Sequence, residues 1–322
     1  MKIILIFITI FTIVGNMLVL IVTWRERCLH QPNKYFIACL AVADLLVGLF
    51  VAPLKLYKRY LDYALQYRMP FHLCRFMVWI DTFALATSIY SLTIISFDRY
   101  LKISKPLQYK SLMTSSKAMK IIFIIIFIST AFATYSATPY SGSSGILVTG
   151  SGPCVQVDPN NYVFILLISM FVLPVLVISI MYARIFLVAH KRQKMFRNGK
   201  LGQTSNIPNQ QTATLRQDMK VIRMLVIIMG VFLLCWSPWF VLIFLWLFRN
   251  YPHHCARFSK LGNLYAKNII HRTAITLPLF NSLCNPIIYA WLDQKYREAF
   301  KHLFRQTISW FGSRLGRENL HA

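Results

Sequence analysis

The sequence predicts an all-α membrane protein, a seven-transmembrane helix bundle with a short amphipathic eighth helix, and three observations point there. Hydrophobic residues make up 57% of the 322 residues and charged residues 14%, a balance unlike that of soluble domains. Seven apolar stretches, near 2–23, 34–57, 73–100, 118–139, 161–188, 220–248 and 266–291, each reach the roughly 20 residues a helix needs to cross about 30 Å of hydrocarbon. Basic residues gather at alternating ends of these stretches, the pattern that orients spans in a bilayer.

The first stretch follows Met1 and Lys2 directly, as the core of a signal peptide does. No small-residue cleavage site ends it, and it runs through Gly15 and Asn16 to Val22 before stopping at Trp24-Arg25-Glu26-Arg27, so it reads as a span. The chain is either unusually short at this end or begins inside a longer one. With the N-terminus outside, 11 basic residues fall on the outer side and the other 24 of 35 at inner ends, inner loops and the tail. Cytoplasmic loops collect Lys and Arg, so the expected placement is a multi-pass plasma-membrane protein with an outer N-terminus and a cytoplasmic C-terminus. The formal charge of +25 then implies contact with anionic inner-leaflet lipid and an acidic cytosolic partner. No soluble basic domain carries it, which excludes nucleic acid.

The longest inner connection, His190 to Leu215, mixes Lys191, Arg192, Lys194, Arg197 and Lys200 with Gly, Gln, Asn and Thr and lacks apolar periodicity, so a mobile loop is expected. Beyond the seventh span, Tyr296, Phe300 and Phe304 recur every fourth residue with basic residues opposite, predicting a short helix on the membrane surface. The chain thus divides into a bundle, 1–292, and a surface helix with tail, 293–322.

Cysteines divide by side. Cys74, Cys154 and Cys255 fall outside, where disulfides form, and Cys39, Cys235 and Cys284 within spans. Cys74 opens the third span and Cys154 lies in a Gly/Ser-rich outer loop; a disulfide between them would pin that loop across the bundle mouth and leave Cys255 over. His253-His254-Cys255 lacks a fourth ligand at useful spacing and is a weak metal candidate.

The third span carries the chemistry. On a helix with about 3.6 residues per turn, positions separated by five whole turns share a face, and Asp81 and Arg99 are so related. Ser88 and Cys74 fall close to the same stripe. Asp98-Arg99-Tyr100 closes this span just before Lys102, Lys105 and Lys110. Ionisable groups at a membrane boundary are costly and mark function, and an acid beside an arginine can hold that charge until a competitor takes it.

Five motifs, in order, identify a resemblance: Gly15-Asn16, Leu40-Ala41-Val42-Ala43-Asp44, Asp98-Arg99-Tyr100, Cys235-Trp236-Ser237-Pro238 and Asn285-Pro286-Ile287-Ile288-Tyr289. Over nearly its whole length the chain resembles class A (rhodopsin-like) G-protein-coupled receptors, among them histamine-like and trace-amine-like receptors for biogenic amines. It departs at Ser129 or Thr130, near the usual place of a tryptophan. The resemblance implies a receptor that activates a heterotrimeric G protein. It implies that Asp44, Ser88, Asn281, Ser282 and Asn285 form a small cation site, for sodium, or a water-filled polar cavity. It implies that Asp218 clamps Arg99 at rest, that Tyr182 and Tyr289 meet Arg99 after activation, and that Ile89, Pro174 and Phe232 relay motion. Pro174, Pro238 and Pro286 remove helix hydrogen bonds inside spans, which suits hinges and static kinks alike.

The same resemblance makes Asp81 the partner of a ligand ammonium, in a pocket with Thr82, Leu85, Leu166, Met170, Trp236, Trp239, Phe240, Thr276 and Leu279. Aromatic faces there suit cation–π contact. The alternative is that Asp81 pairs internally with Arg272 or Lys267. Leu166 and Met170 stand where catechol-type receptors carry serines, and Thr276 and Leu279 replace the usual tryptophan and tyrosine, favouring a less polar amine. The outer face argues differently: Lys55, Lys58, Arg59, Arg68, Arg75, Arg249, Arg257, Lys260, Lys267 and Arg272 outnumber Asp62 and Asp158, a field that steers anions inward. A receptor for a peptide or anionic ligand is therefore the alternative. Leu279 occupies the place of the retinal lysine, which discounts light sensing; the ordered motifs disfavour a channel or transporter, and no nucleophile–base pair suggests an enzyme.

Overall fold

The computed structural model describes the backbone of residues 2–26, 32–64, 70–138, 165–197, 208–249 and 264–318, with the side chains of most of them. Seven helices are long and apolar enough to cross a membrane: Ile3–Arg25, Asn33–Lys58, Phe71–Ser104, Ser115–Ser136, Ile165–Val188, Val226–Leu245 and Thr273–Leu292. They belong to α1 (Lys2–Arg25), α2 and α3 (Asn33–Leu46 and Ala52–Ala64), α4 (Phe71–Ser104), α6 (Ser115–Ser136), α7 (Leu173–Arg197), α8 (Pro208–Arg249) and α9 (Leu264–Leu292). Two further helices, α5 (Pro106–Leu112) and α10 (Gln294–Glu318), lie beyond the spans. Large apolar side chains such as Phe7, Phe123, Leu176 and Leu234 face outward, as they do when the solvent is lipid.

Local chemistry sets the ends. Pro106 opens α5 in the first turn, where a missing N–H costs nothing, and Thr114 caps α6 by accepting from the Lys117 backbone N–H at 3.3 Å. Asp293 alone separates α9 from α10, its Oδ1 accepting from the backbone N–H groups of Lys295 at 2.9 Å and Tyr296 at 3.3 Å.

Two spans contain π-helical turns, Val47–Val51 between α2 and α3 and Ile168–Val172 before α7. Each ends two residues before a proline, Pro53 or Pro174. A proline ring clashes with the carbonyl four residues back, and a widened turn relieves that clash. Gly48 sits in the first of these turns, where a Cβ would lie 2.9 Å from Ile13 Cγ1, so α1 packs directly on its backbone.

One expectation is corrected. Helix α7 continues to Arg197 and α8 starts at Pro208, so much of 190–215 is helical, and only 198–207 lie outside the described residues. Lys, Arg, Gln, Met and Ala are good helix formers, and a span extends past the lipid without needing an apolar face. The expected eighth helix is α10, of 25 residues, with Tyr296, Ala299, Phe300 and Leu303 turned to the core and Phe304 exposed.

Candidate ligand pocket and switch

The polar centre is built on Asp44 of α2, 0% exposed. Ser88 Oγ of α4 donates to Asp44 Oδ1 at 3.2 Å, and Asn285 Nδ2 of α9 donates to Oδ2 at 2.7 Å. Asn281 and Ser282 are buried beside them. Neutral donors lower the cost of burying a carboxylate without cancelling its charge. Ser282 adds a third hydroxyl donor; a carboxylate offers about four acceptor sites, so capacity remains and the donor set fits a small cation held by oxygen ligands.

Asn16 ties α1 to this centre, donating through Nδ2 to Ser282 O at 3.1 Å and to Thr12 O at 2.9 Å. Pro286, four residues after Ser282, has no N–H, so that carbonyl lacks its helical partner and Asn16 supplies one. Gly15 permits the approach, since a Cβ there would meet Pro286 Cβ and Cγ at 3.0 Å. The proline spacing and a polar residue in the first span carried this signal in the sequence.

A narrow cavity runs from this centre to the Asp81 level of the bundle. It is lined by Val47, Lys55, Asp81, Ala84, Leu85, Ser88, Trp236, Pro278, Leu279, Asn281 and Ser282, with about 20 Å³ open to water, room for roughly one molecule. Ser88 belongs both to the cavity and to the Asp44 cluster. Across the cavity, Lys55 Nζ lies 2.9 Å from Asp81 Oδ2 and 3.1 Å from Oδ1, with the lysine side chain 21% and the aspartate 39% exposed.

At the opposite end, Asp98 is 0% exposed and accepts from the Tyr109 hydroxyl of α5 at 2.7 Å. Arg99 Nε lies 3.8 Å from Asp98 Oδ2, an ion pair without a hydrogen bond. Burial, reinforced by the negative Asp98, raises the Tyr109 phenol above its ordinary value, so it stays a protonated donor across the physiological range. Tyr182 Oη lies 3.4 Å from Ser96 Oγ, and the Tyr289 hydroxyl is buried without a hydrogen-bond partner, its ring stacked on Tyr296 at 5.5 Å. Neither tyrosine hydroxyl bonds Arg99. Ile89, Pro174 and Phe232 are buried, and Ile89 and Phe232 share one core cluster.

The family described as 7 transmembrane receptor (rhodopsin family) matches residues 15–289, a span that takes in all five motifs, Asp44, Asp81 and Arg99. The chain belongs to that rhodopsin family. Members of this family are receptors, not enzymes; they engage a small extracellular ligand and signal through heterotrimeric G proteins. The chain is similar to the adenosine receptor A2a of Equus caballus, 29% identical over 94% of this chain and 71% of the relative. It is similar to the trace amine-associated receptor 2 of Mus musculus, 29% identical over 98% and 86%. It is also similar to the alpha-1A adrenergic receptor of Oryzias latipes, 27% identical over 91% and 64%.

In this rhodopsin-family receptor Asp81, Leu85, Trp236 and Leu279 of the expected pocket line this cavity. Met170 and Phe240 are buried in one core cluster, Phe240 stacking on Phe171 of the π-helical turn at 4.4 Å. Asp81 has a partner the sequence did not suggest. A straight helix places Lys55 on another face, but a π turn inserts one residue and rotates everything after it by about 100°. The side chains of Arg272, Lys267 and Asp218 lie outside those described, as do His253, His254 and Cys255.

The expected disulfide joins Cys74 to Cys154, which lies outside the described residues. No disulfide joins two of the described residues, because Cys154 lies outside them, and Cys39, Cys235 and Cys284 are free thiols.

Proposed function

We propose that this receptor is activated by a small extracellular amine, with its N-terminus outside the plasma membrane and its C-terminus in the cytosol. The observation that carries this is Asp81, a carboxylate on the wall of the bundle cavity whose lining also includes Trp236. An ammonium there gains a charge-assisted bond and an aromatic face. The name of one relative, trace amine-associated receptor 2, points the same way. Adenosine receptors stand equally near, so sequence similarity alone does not select the ligand. Lys55 in the same cavity supports a second reading, an anionic ligand.

Below the cavity, Asp44 and Ser88, with Asn281, Ser282 and Asn285 around them, would hold a sodium ion that favours the resting arrangement. At the Arg99 end, where the G protein docks, Asp98 and Asp218 hold Arg99 at rest, and Tyr182 and Tyr289 take it over on activation.

The test is a panel of amines and matched acids applied to cells displaying wild type or Asp81→Asn at equal surface density. Amines activate wild type, and the variant loses potency by about 100-fold, the factor expected for roughly 3 kcal/mol of charge-assisted hydrogen bonding. Acids that activate while every amine stays silent would sink the amine ligand and favour the second reading.

A further inference from the structure

An amine accounts for Asp81 and leaves Lys55 unexplained. Lys55 Nζ touches both carboxylate oxygens, at 2.9 and 3.1 Å, and its side chain is less exposed than that of Asp81, 21% against 39%. It is therefore no solvated surface lysine that happens to pass by, but half of an ion pair built into the cavity wall. Much of the remaining lining is apolar, including Leu85, Trp236, Pro278 and Leu279, and an uncompensated charge there is costly.

Charge bookkeeping then discriminates between ligand classes. The Lys55–Asp81 pair is neutral. A ligand bearing only an ammonium must displace Lys55 from Asp81 and leaves two cations beside one carboxylate. A ligand bearing only an anion reverses the problem and strands Asp81. A zwitterion replaces one ion pair by two and keeps the cavity neutral.

We propose that the ligand carries an acidic group as well as its ammonium, on a short spacer as in an amino acid, so that the ammonium takes Asp81 and the carboxylate takes Lys55. This rests on the amine reading and adds a requirement to it. The short spacer follows from geometry. Asp81 is a short side chain on α4 and Lys55 a four-carbon stem on α3, already in contact, so a headgroup inserted between them adds only two charge-assisted contacts of about 2.8 Å. The rest of the ligand is apolar and lies toward Trp236 and Leu279.

The experiment uses the full-length receptor in nanodiscs and three matched triads: 2-phenylethylamine, phenylalanine and 3-phenylpropionate, with the corresponding phenol and indole series. Thermal unfolding is followed against concentration, because a ligand that binds only the folded receptor raises its midpoint by mass action. In at least one series the zwitterion is expected to stabilise wild type at a concentration at least tenfold lower than either singly charged relative. Lys55→Met removes that preference and improves the simple amine about tenfold, while Lys55→Arg keeps the wild-type order. Lys55→Gln replaces the methionine variant if that one does not fold.

Silence of every zwitterion, an amine that matches its zwitterion in all three series, or a preference that survives Lys55→Met overturns the proposal. The amine reading fails separately: the acid-only members then match the zwitterions, and Asp81→Asn changes nothing. Amine-only members as good as the zwitterions, still destroyed by Asp81→Asn, sink the zwitterion and leave the amine.

Discussion

Two aspartates in neighbouring spans are handled in opposite ways. Asp44 is fully buried and receives neutral donors, Ser88 on one oxygen and Asn285 on the other, with Ser282 beside them. Asp81 is partly exposed and receives a cation, Lys55. A neutral donor makes a buried charge tolerable and leaves it a charge; a cation cancels it. The centre of the bundle therefore holds a carboxyl group with spare acceptor capacity and only neutral donors against it among the described residues, whereas at the cavity wall the carboxylate and its cation neutralise each other.

The sharpest way to break this contrast is to neutralise each acid in turn. Asp81→Asn is expected to reduce amine potency about 100-fold and also to lower thermal stability, since it leaves Lys55 without its partner in a largely apolar wall. Asp44→Asn keeps the shape of the cluster and removes the charge. Replacing N-methylglucamine chloride by sodium chloride should raise the unfolding midpoint of wild type and leave that of Asp44→Asn unmoved. A sodium response that survives in Asp44→Asn would place any ion elsewhere.

The next largest effect concerns the scaffold beneath Asp44. Asn16→Ala leaves the Ser282 carbonyl buried without a partner, at a cost of about 1–3 kcal/mol. Pro286→Ala restores an N–H to that carbonyl. In a double-mutant cycle, the penalty for Asn16→Ala should therefore shrink by about 1 kcal/mol in the Pro286→Ala background. Strictly additive penalties would mean that Asn16 acts on something other than the proline-freed carbonyl.

The two regions also differ in how far they could be read from sequence. Asp44, Ser88 and Asn285 come together because α2, α4 and α9 hold their polar residues at fixed helical spacings near the bundle centre. Lys55 lies beyond a π turn, and any projection that assumes 3.6 residues per turn loses its register there. Pro53 was the visible trace of that turn. Apolar length located all seven spans, but it carried no information on where α7 and α8 end, because outside lipid a helix needs propensity rather than an apolar face.

At the Arg99 end the contrast predicts an intermediate effect. Asp98 resembles Asp44 in burial and Asp81 in having a nearby cation, but its hydrogen bond comes from the neutral Tyr109 hydroxyl. Tyr109→Phe should cost about 1.5–3 kcal/mol, the range for a hydrogen bond to a charged group, with no dependence on pH between 6 and 9. The sign follows from the raised phenol. A group with a raised folded value contributes fully below its unfolded value, near 10 for tyrosine, and loses its contribution only above that. A penalty that fades between pH 6 and 9 would show that a different group donates to Asp98.

The smallest effect is expected where α10 meets α1. Side-chain contacts between them include Tyr296 Oη, 2.8 Å from Thr23 Oγ1, and His302 Nδ1, 2.8 Å from Glu26 Oε1. Their distances are equal and their surroundings are not, since Tyr296 is buried and His302 is 56% exposed. Water competes for the exposed pair and salt screens it, so His302→Ala should cost well under 1 kcal/mol, and less still at high ionic strength. Tyr296→Phe keeps the ring packed and leaves Thr23 with its bond to Val19 O, so it should cost about 1 kcal/mol regardless of salt. Hydrogen exchange along α10 can separate the two, with protection falling more in Tyr296→Phe than in His302→Ala. The reverse order would mean that α10 is held from its surface and not from the core, and the rule drawn from Asp44 and Asp81, that surroundings rather than distance decide what a polar contact does, would fail at this end of the receptor.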